Sequence, residues 1–509
     1  MRLKLFLFCF VTFTLVGCTK DNIVITDETG RESNTISTTN TISVVFSTNG
    51  NAEVSGASSS QSVTIDGNGV TIVNNDSVTI NYLLSGTTTD GYLKIYSSKK
   101  QQIELNGVSI TNPNGAAINV QGSTDTPSKG MAVYLVLNGT NTLEDGSNYS
   151  NTPSNEDEKA ALFSEGQIIV SGNGSLTVNA KGKSGIVSDD YVNITGGNVT
   201  VNSTASTFVS NGDTTKVAGI KGKDNFIMTD GTLTISCSGT GAKGISGDGT
   251  AEFNGGTVNI TVTGNNFGSS SGGWWPGGHG GNQSDNSVAA KGIKFDGNIT
   301  FNSGCNVIVK CSKHEAIESK GELTVNGGHI YAYSAADDAI NSASTMTIND
   351  GFVCAHATSN DGLDANGNLY IKGGVVYAIG SSSPEVAIDA NTEGNFKLYV
   401  QGGTIIAIGG LERGASLTQS CYQTSSWSKS TWYALTVGET IYAFKTPSSG
   451  GSGLIVSGAS TPTLQSGVTA TGGTEYFDGT MIIDATVSGG SNVSLSNYTG
   501  GNGGGPGWH

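Results

Sequence analysis

Acidic and amide side chains recur at fixed positions in four consecutive repeats between residues 314 and 390. The repeats share an apolar anchor, and the intervals between anchors are 23, 23 and 25 residues for Ile317, Ile340, Leu363 and Ile388. The polar side chains stand two or three positions before an anchor or directly after it: Glu315, Glu318, Asp337, Asp338, Asn341, Asp361, Asp364 and Asp389. Oxygen donors of these types are the ones that calcium prefers. The pattern predicts a calcium site if the repeats bring these residues together.

Short strands are the elements that would bring these residues together. Each anchor is followed by a polar turn, an alternating run, a glycine doublet or its equivalent and a second alternating run, as in the unit from Leu363 to Gly374. A repeat of this length with strand periodicity predicts a β-solenoid, whose stacked strands lie about 4.8 Å apart. Carboxylates at that spacing repel one another unless a cation lies between them. We therefore predict Ca²⁺ as the cofactor, and a solvated polar edge is the alternative.

The repeat positions that are acidic in the later repeats carry lysines in the earlier repeats. These lysines are candidates for binding the acidic groups of a carbohydrate: Lys291, Lys294 and Lys243. Aromatic residues add candidate surfaces for stacking on sugar rings: Trp274, Trp275, Tyr331 and Tyr377. For the two tryptophans, which stand in a glycine-rich insert, packing over a neighbouring coil is the alternative. For the two tyrosines, burial under residues 411–509 is the simpler explanation, because they belong to an outward apolar stripe.

The predicted fold is all-β, a right-handed parallel β-helix with β-rich caps at both ends. Because an open stack would expose unpaired strand edges, both ends need a cover. The predicted organisation is a signal peptide and lipobox at 1–18, a tether at 19–41, an N-terminal cap with the first coils at 42–130, a β-helix at 131–410 with an insert at 265–286, and a C-terminal β cap with a Gly-rich tail at 411–509.

The N-terminus and the overall charge limit the possible partners. Residues 15–18 read LVGC after a short apolar run, which predicts lipidation of Cys18 and a lipid-anchored protein at the outer membrane or cell surface. The formal net charge is −16, which argues against nucleic acid as a partner. The five cysteines beyond residue 18 show no metal-binding spacing and are expected as buried thiols. We expect a monomer.

Several segments resemble one known family. The run EKAALFSEGQIIVSGNGSLTV, the unit SGIVSDDYVNITGGNVTV, and the motifs DDAINSA and NDGLDANG are similar to the bacterial parallel β-helix carbohydrate-binding family typified by a clostridial polygalacturonate-binding protein. The likeness covers roughly residues 42–460. It implies an exported protein that carries calcium and binds acidic pectic polysaccharide. By this resemblance, the ligand candidates are Asp337, Asp338, Asp361 and Asp364.

The favoured function is calcium-dependent, non-catalytic binding of an acidic, pectin-like polysaccharide at the cell surface. One alternative is a calcium-dependent polysaccharide lyase, in which a lysine such as Lys313 or Lys320 removes the proton next to a uronate carboxyl group. Another alternative is a surface adhesin that contacts a second protein.

Overall fold

The structure is a computed structural model that describes residues 33–75, 77–122, 131–150, 152–153, 156–268 and 287–501. The described chain is all-β, as expected, and its single helical element is a 3-10 turn at Thr392–Gly394. The described part contains no helix with the length and hydrophobicity of a membrane span. The predicted signal peptide, Cys18, Trp274 and Trp275 lie outside the described residues.

Successive repeats pair in parallel along three columns of strands. The first, which we call the anchor column, contains the apolar anchors, and Ile317, Ile340 and Leu363 are direct partners in it. Isolated parallel bridges extend it to Ile388 and Leu411. Its strands are Gln61–Asp66, Asn68–Asn74, Gly91–Tyr96, Ile118–Gln121, Ala160–Ser164, Ser184–Ser188, Ala218–Gly222, Lys243–Gly247, Ile293–Phe295, Ile317–Ser319, Ile340–Ser342 and Leu363–Ala365.

The other two columns belong to one large sheet, because several long strands run through both of them. These long strands are Ile80–Thr88, Gln101–Thr111, Tyr191–Ser203 and Asn225–Cys237. The remaining strands of the second column are Asn40–Phe46, Ala132–Asn138, Gln167–Gly172, Thr250–Phe253, Ile299–Phe301, Leu323–Val325, Met346–Ile348, Leu369–Ile371, Leu398–Val400 and Ser416–Leu417. Those of the third column are Thr140–Glu144, Ser175–Ala180, Thr257–Val262, Asn306–Cys311, His329–Ser334, Phe352–Ala357, Val375–Ile379 and Thr404–Ile408.

The core lies between the columns and runs along the whole stack. Alternation puts every second side chain inward, as in His329–Ser334, where Ile330 and Ala332 are fully buried. The glycine doublets hold the register between the second and third columns. Gly374 has φ +76°, and a Cβ atom there would lie 2.4 Å from the carbonyl oxygen of Gly351 in the preceding repeat. Only glycine fits that turn at this coil spacing.

The C-terminal region forms an antiparallel sheet that covers the last strands of the third column. Its strands are Trp432–Val437, Thr440–Lys445, Thr463–Thr471, Thr474–Tyr476, Met481–Ile483 and Thr486–Val493. Cys421–Thr424, Leu454–Ser457 and Ser496–Tyr498 pair antiparallel beside the end of the third column. Outward residues of the third column, among them Tyr377 and Ile406, form a shared core with Leu435 and Phe444.

This cover corrects the prediction that Tyr331 and Tyr377 stack on sugars. Tyr377 is 1% exposed, and its hydroxyl donates to the carbonyl oxygen of Lys445 at 2.9 Å. The Tyr331 ring faces Phe477 with 6.3 Å between ring centroids. Both tyrosines pack beneath the C-terminal sheet, because their outward position on the third column becomes buried when that sheet docks.

The N-terminal end is covered by antiparallel strands. Glu53–Ser55 pairs with Asn40–Phe46, and Gln61–Asp66 pairs with the first strand of the parallel part of the anchor column. Part of the predicted tether packs on the stack: Ile36 contacts a small apolar cluster on the second column, and Asn34 accepts a hydrogen bond from Asn193. Two further short strands, Phe208–Ser210 and Asp213–Thr215, form a hairpin.

Candidate functional site

Register in the anchor column brings the predicted site residues into line. The residues directly after the anchors are direct partners from repeat to repeat, in the order Lys221, Ser246, Lys294, Glu318, Asn341 and Asp364. This line changes from lysine to carboxylate as the chain advances. The sequence periodicity therefore predicts the relative placement of these side chains correctly, because one-residue slips would have moved the anchors out of the core.

The acidic end of the line forms a compact carboxylate cluster. Carboxylate oxygens of Asp361, Asp364 and Asp389 all lie within 4.8 Å of one another, although Asp389 belongs to the repeat after that of Asp361 and Asp364. Asp361 is 8% exposed, and the other two are partly buried. Among the described residues, none of the three has a lysine, arginine or histidine within salt-bridge distance. We call these three residues the aspartate cluster.

Asp338 and Asn341 adjoin this cluster from the preceding repeat. The Asn341 amide donates to Asp364 Oδ2 at 2.6 Å and to Asp338 Oδ2 at 3.3 Å. The backbone N–H of Asp361 donates to Asp338 Oδ1 at 3.1 Å. These bonds orient the oxygens of Asp338 and Asp364 toward one region, so five of the predicted metal residues are assembled there.

Burial and mutual repulsion oppose the simultaneous ionisation of several carboxyl groups in the cluster. Burial, followed by the charges of Asp364, Asp337 and Asp361, raises the pKa of Asp338 to about 9. Burial likewise raises the pKa of Asp364 to about 6. The pKa values of Asp361 and Asp389 are also raised, by burial first and then by neighbouring acids. A bound divalent cation would reverse this balance by stabilising the ionised forms.

Two further acids, which the sequence analysis does not identify as ligands, adjoin the cluster. Glu385 raises the pKa of Asp361 through its charge and a side-chain hydrogen bond, and Glu412 raises the pKa of Asp389 in the same way. Glu412 follows Leu411, which bridges to Ile388 and is a further anchor 23 residues after it. Continuing the 23-residue count past Ile388 would have identified Glu412. Val386 interrupts the acidic column, but its N–H donates to Asp361 Oδ1 at 2.5 Å.

The remaining predicted metal residues form ion pairs with protein cations. Lys291 Nζ lies 3.0 Å from Glu315 Oε2 and 2.5 Å from Glu318 Oε2, and Lys320 also pairs with Glu318. Burial opposes the charge on Glu318, but the two lysines outweigh it and lower its pKa. The prediction that Glu318 joins the same calcium site as the aspartates is therefore corrected: a side-chain cation already neutralises it.

Asp337 and Glu315 share His314 as a partner. His314 Nδ1 lies 2.8 Å from Asp337 Oδ2 and also contacts Glu315. Burial lowers the pKa of His314, but the hydrogen bonds to the two carboxylates outweigh it and raise it to about 9. Oxygen and nitrogen atoms of these three residues also lie within 4.8 Å of one another. A protonated histidine already supplies a positive charge there, so this triad does not need a metal ion.

Comparison with known proteins assigns the chain to a family. A model of the family "Carbohydrate-binding domain-containing protein" matches residues 66–339, more than half of the chain. The chain belongs to this carbohydrate-binding family. A protein of the same description from Acetivibrio thermocellus is 33% identical over 123 residues, which are 24% of this chain and 41% of that relative. The match thus spans less than half the length of that relative.

One solved structure was also found to be similar. It is described as the structure of the polysaccharide lyase-like protein from C. thermocellum, gadolinium derivative. The sequence identity is 19%, the TM-score is 0.38, and the similarity covers 62% of this chain and 100% of that one. The carbohydrate-binding part of the expected family is confirmed by the family match, and binding of polygalacturonate remains a prediction.

In this member of the carbohydrate-binding family, the three predicted carbohydrate-binding lysines differ in their surroundings. Lys291 is paired as described above, and Lys294 contacts Asp296. These two lysines are therefore not free cations, which corrects the prediction that their charges are available to a ligand carboxylate. Lys243 is 8% exposed and has no carboxylate partner within the described part of the chain.

Proposed function

We propose that this protein binds an acidic, pectin-like polysaccharide without cleaving it and that calcium at the aspartate cluster takes part in binding. The supporting observation is the convergence of Asp361, Asp364 and Asp389 from two successive repeats to within 4.8 Å. Hard oxygen ligands at such a distance fit calcium, which accepts about six to eight of them. Membership of the carbohydrate-binding family supports a polysaccharide as the partner.

The residues present would hold the ion through carboxylate oxygens. Asp361, Asp364 and Asp389 would be its central ligands, with Asp338 beside them, and the Asn341 amide N–H groups would orient the carboxylates of Asp338 and Asp364. Bound calcium would supply a positive charge to which uronate carboxylates of the polysaccharide can bind. The protein would orient the ligand oxygens and, through partial burial of the site, strengthen their attraction to the cation.

We infer that the stack is a right-handed parallel β-helix. The parallel pairing of each repeat with the next supports a helix of coils. Parallel strands joined by crossovers are right-handed in nearly all proteins, because strands twist to the right. The proposed attachment is a lipid at Cys18, which would place a monomer of this protein at the outer membrane or cell surface.

Affinity electrophoresis through gels that contain polygalacturonate tests the proposal. We expect the protein to be retarded more strongly in calcium than in a chelator, and we expect Asp364→Asn to lose the calcium-dependent part. Asp224→Asn is the matched control, because Asp224 is an exposed acid outside the cluster. Equal retardation in calcium and chelator would contradict the role of calcium.

Incubation of the protein with polygalacturonate in calcium tests for catalysis. A polysaccharide lyase leaves an unsaturated product that absorbs in the ultraviolet, and a non-catalytic binder leaves none. We expect no increase in absorbance with polygalacturonate in calcium. Formation of unsaturated product by the wild-type protein would replace the binding-only proposal with the lyase alternative.

A further inference from the structure

A cleft lies where the residues directly after the anchors are lysines, at the other end of the line from the aspartate cluster. Its volume is about 690 Å³, and Phe267 and Val288 form part of its wall. In a protein with a net charge of −16, this cleft is unusual because lysines dominate its charged lining. The lysines that line it are Lys216, Lys221, Lys243, Lys291, Lys294 and Lys320.

Most of these lysines are neutralised by acids of the same cleft. Lys221 lies 3.5 Å from Asp248, and Lys294 contacts Asp296. Lys291 and Lys320 share Glu318, as described above. Within the described residues, Lys216 and Lys243 are left without a carboxylate partner. Lys216 is exposed to solvent, whereas Lys243 is not.

Lys243 is therefore an ammonium group in an unfavourable position. It is 8% exposed, it lines the cleft, and no acceptor of its Nζ lies within hydrogen-bond distance among the described residues. Burial, followed by the charges of Lys291, Lys216 and Lys294, lowers its pKa to about 7. A buried cation without a partner costs stability, and an anion bound in the cleft would remove that cost.

We propose that this cleft binds a carboxylate of the acidic polysaccharide directly, without calcium, and that Lys243 is its principal donor. The inference rests on the proposed function for the identity of the ligand. It adds a second subsite of opposite character: one end of the line attracts a uronate through a bound cation, and the other attracts it through a lysine. Lys216, at the exposed edge of the cleft, provides a second cation for the same anion.

The repeat geometry sets the distance between the two subsites. Lys243, Lys291, Glu315, Asp338 and Asp361 each stand two positions before an anchor, and the anchors pair from repeat to repeat. Four coil steps of about 4.8 Å separate Lys243 from Asp361 along the stack, which is about 19 Å. A polysaccharide that runs along the anchor column can therefore reach both subsites with one chain.

Calorimetric titration with a galacturonate oligomer in excess chelator tests the cleft separately from calcium. We expect the wild-type protein to bind in chelator and Lys243→Met to bind about tenfold more weakly, because a charge-assisted hydrogen bond is lost. Lys223→Met is the matched control: Lys223 is an exposed lysine of the neighbouring coil that does not line the cleft. Its affinity should stay within about twofold of the wild type.

Two further readouts separate the possible explanations. Lys243→Met should unfold at the same temperature as the wild type or a higher one, because it removes a buried, unpaired charge. Weaker binding combined with a lower unfolding temperature would assign Lys243 a structural role and overturn the proposal. Wild-type binding that disappears in chelator would overturn the cleft proposal and leave the calcium site intact. Binding in chelator that is lost in Lys243→Met but unchanged by calcium would support the cleft and contradict the proposed calcium site.

Discussion

The Asn341 amide donates a hydrogen bond to Asp364 Oδ2 at 2.6 Å, although the two residues are 23 positions apart in the sequence. Both stand directly after an anchor, and their backbones are partners in the anchor column. The bond can therefore form only when successive repeats are paired in this register. It also fixes one oxygen of the aspartate cluster beside the carboxylate of Asp338, which accepts a weaker bond from the same amide.

The chelated protein should lose stability as the pH rises. The folded-state pKa of Asp338 is about 9, above its ordinary value, so its contribution is fully present near pH 4 and is lost as the pH rises through about 9. Differential scanning calorimetry in chelator should show this fall between about pH 5 and about pH 8.5. Asp338→Asn, which cannot titrate, should show a smaller fall. Identical slopes for the two proteins would show that Asp338 is not held in an environment that opposes its charge.

Removal of Lys291 should destabilise the fold. Lys291→Met leaves Glu318, which is 1% exposed, and Glu315 without their shared cation. Breaking a buried ion pair from one side costs about 3 kcal/mol, measurable as a shift in urea unfolding. Lys310→Met is the control, because its pair with Asp478 is solvent-exposed, and the change should stay within about 0.5 kcal/mol. Adding Glu318→Gln to Lys291→Met should restore part of the loss. Equal effects of the two lysine variants would contradict the buried pairing.

Tyr377→Phe should change stability and leave polysaccharide binding unchanged. The variant removes the donor to the carbonyl oxygen of Lys445, which costs about 1 kcal/mol in the free energy of unfolding. Gel retardation by polygalacturonate should match that of the wild type, because the ring lies under the C-terminal sheet. Reduced retardation with unchanged stability would contradict the burial of Tyr377 and indicate that its ring contacts the polysaccharide.

The repeat, the register and the position of the aspartates were predictable because they follow from the spacing of apolar anchors. Ile317, Ile340 and Leu363 are partners in the structure, as their spacing indicates. The five free cysteines in the described residues are all buried, as expected. The predicted boundary at residue 411 puts Leu411 in the cap, although it lies 23 residues after Ile388 and bridges to it, so the prediction also misses Glu412.

The charge partners could not be read from the spacing alone. Lys291 and Glu315 both stand two residues before an anchor, so the repeat spacing places them side by side. The length of the lysine side chain lets Lys291 also neutralise Glu318, which stands directly after an anchor. The burial of Tyr377 depends on Phe444, which lies outside the repeats and contacts it only after the C-terminal sheet has docked. Long-range docking leaves no periodic signal in the sequence, so an outward tyrosine could be interpreted as exposed.

Calorimetric titration of the chelator-treated protein with calcium tests the central claim directly. We expect saturable heat of binding in the wild type and its loss when Asp361, Asp364 and Asp389 are all changed to asparagine. Asp224→Asn should titrate like the wild type. No binding heat in the wild type, or an unchanged titration in the triple variant, would contradict a calcium site at the aspartate cluster.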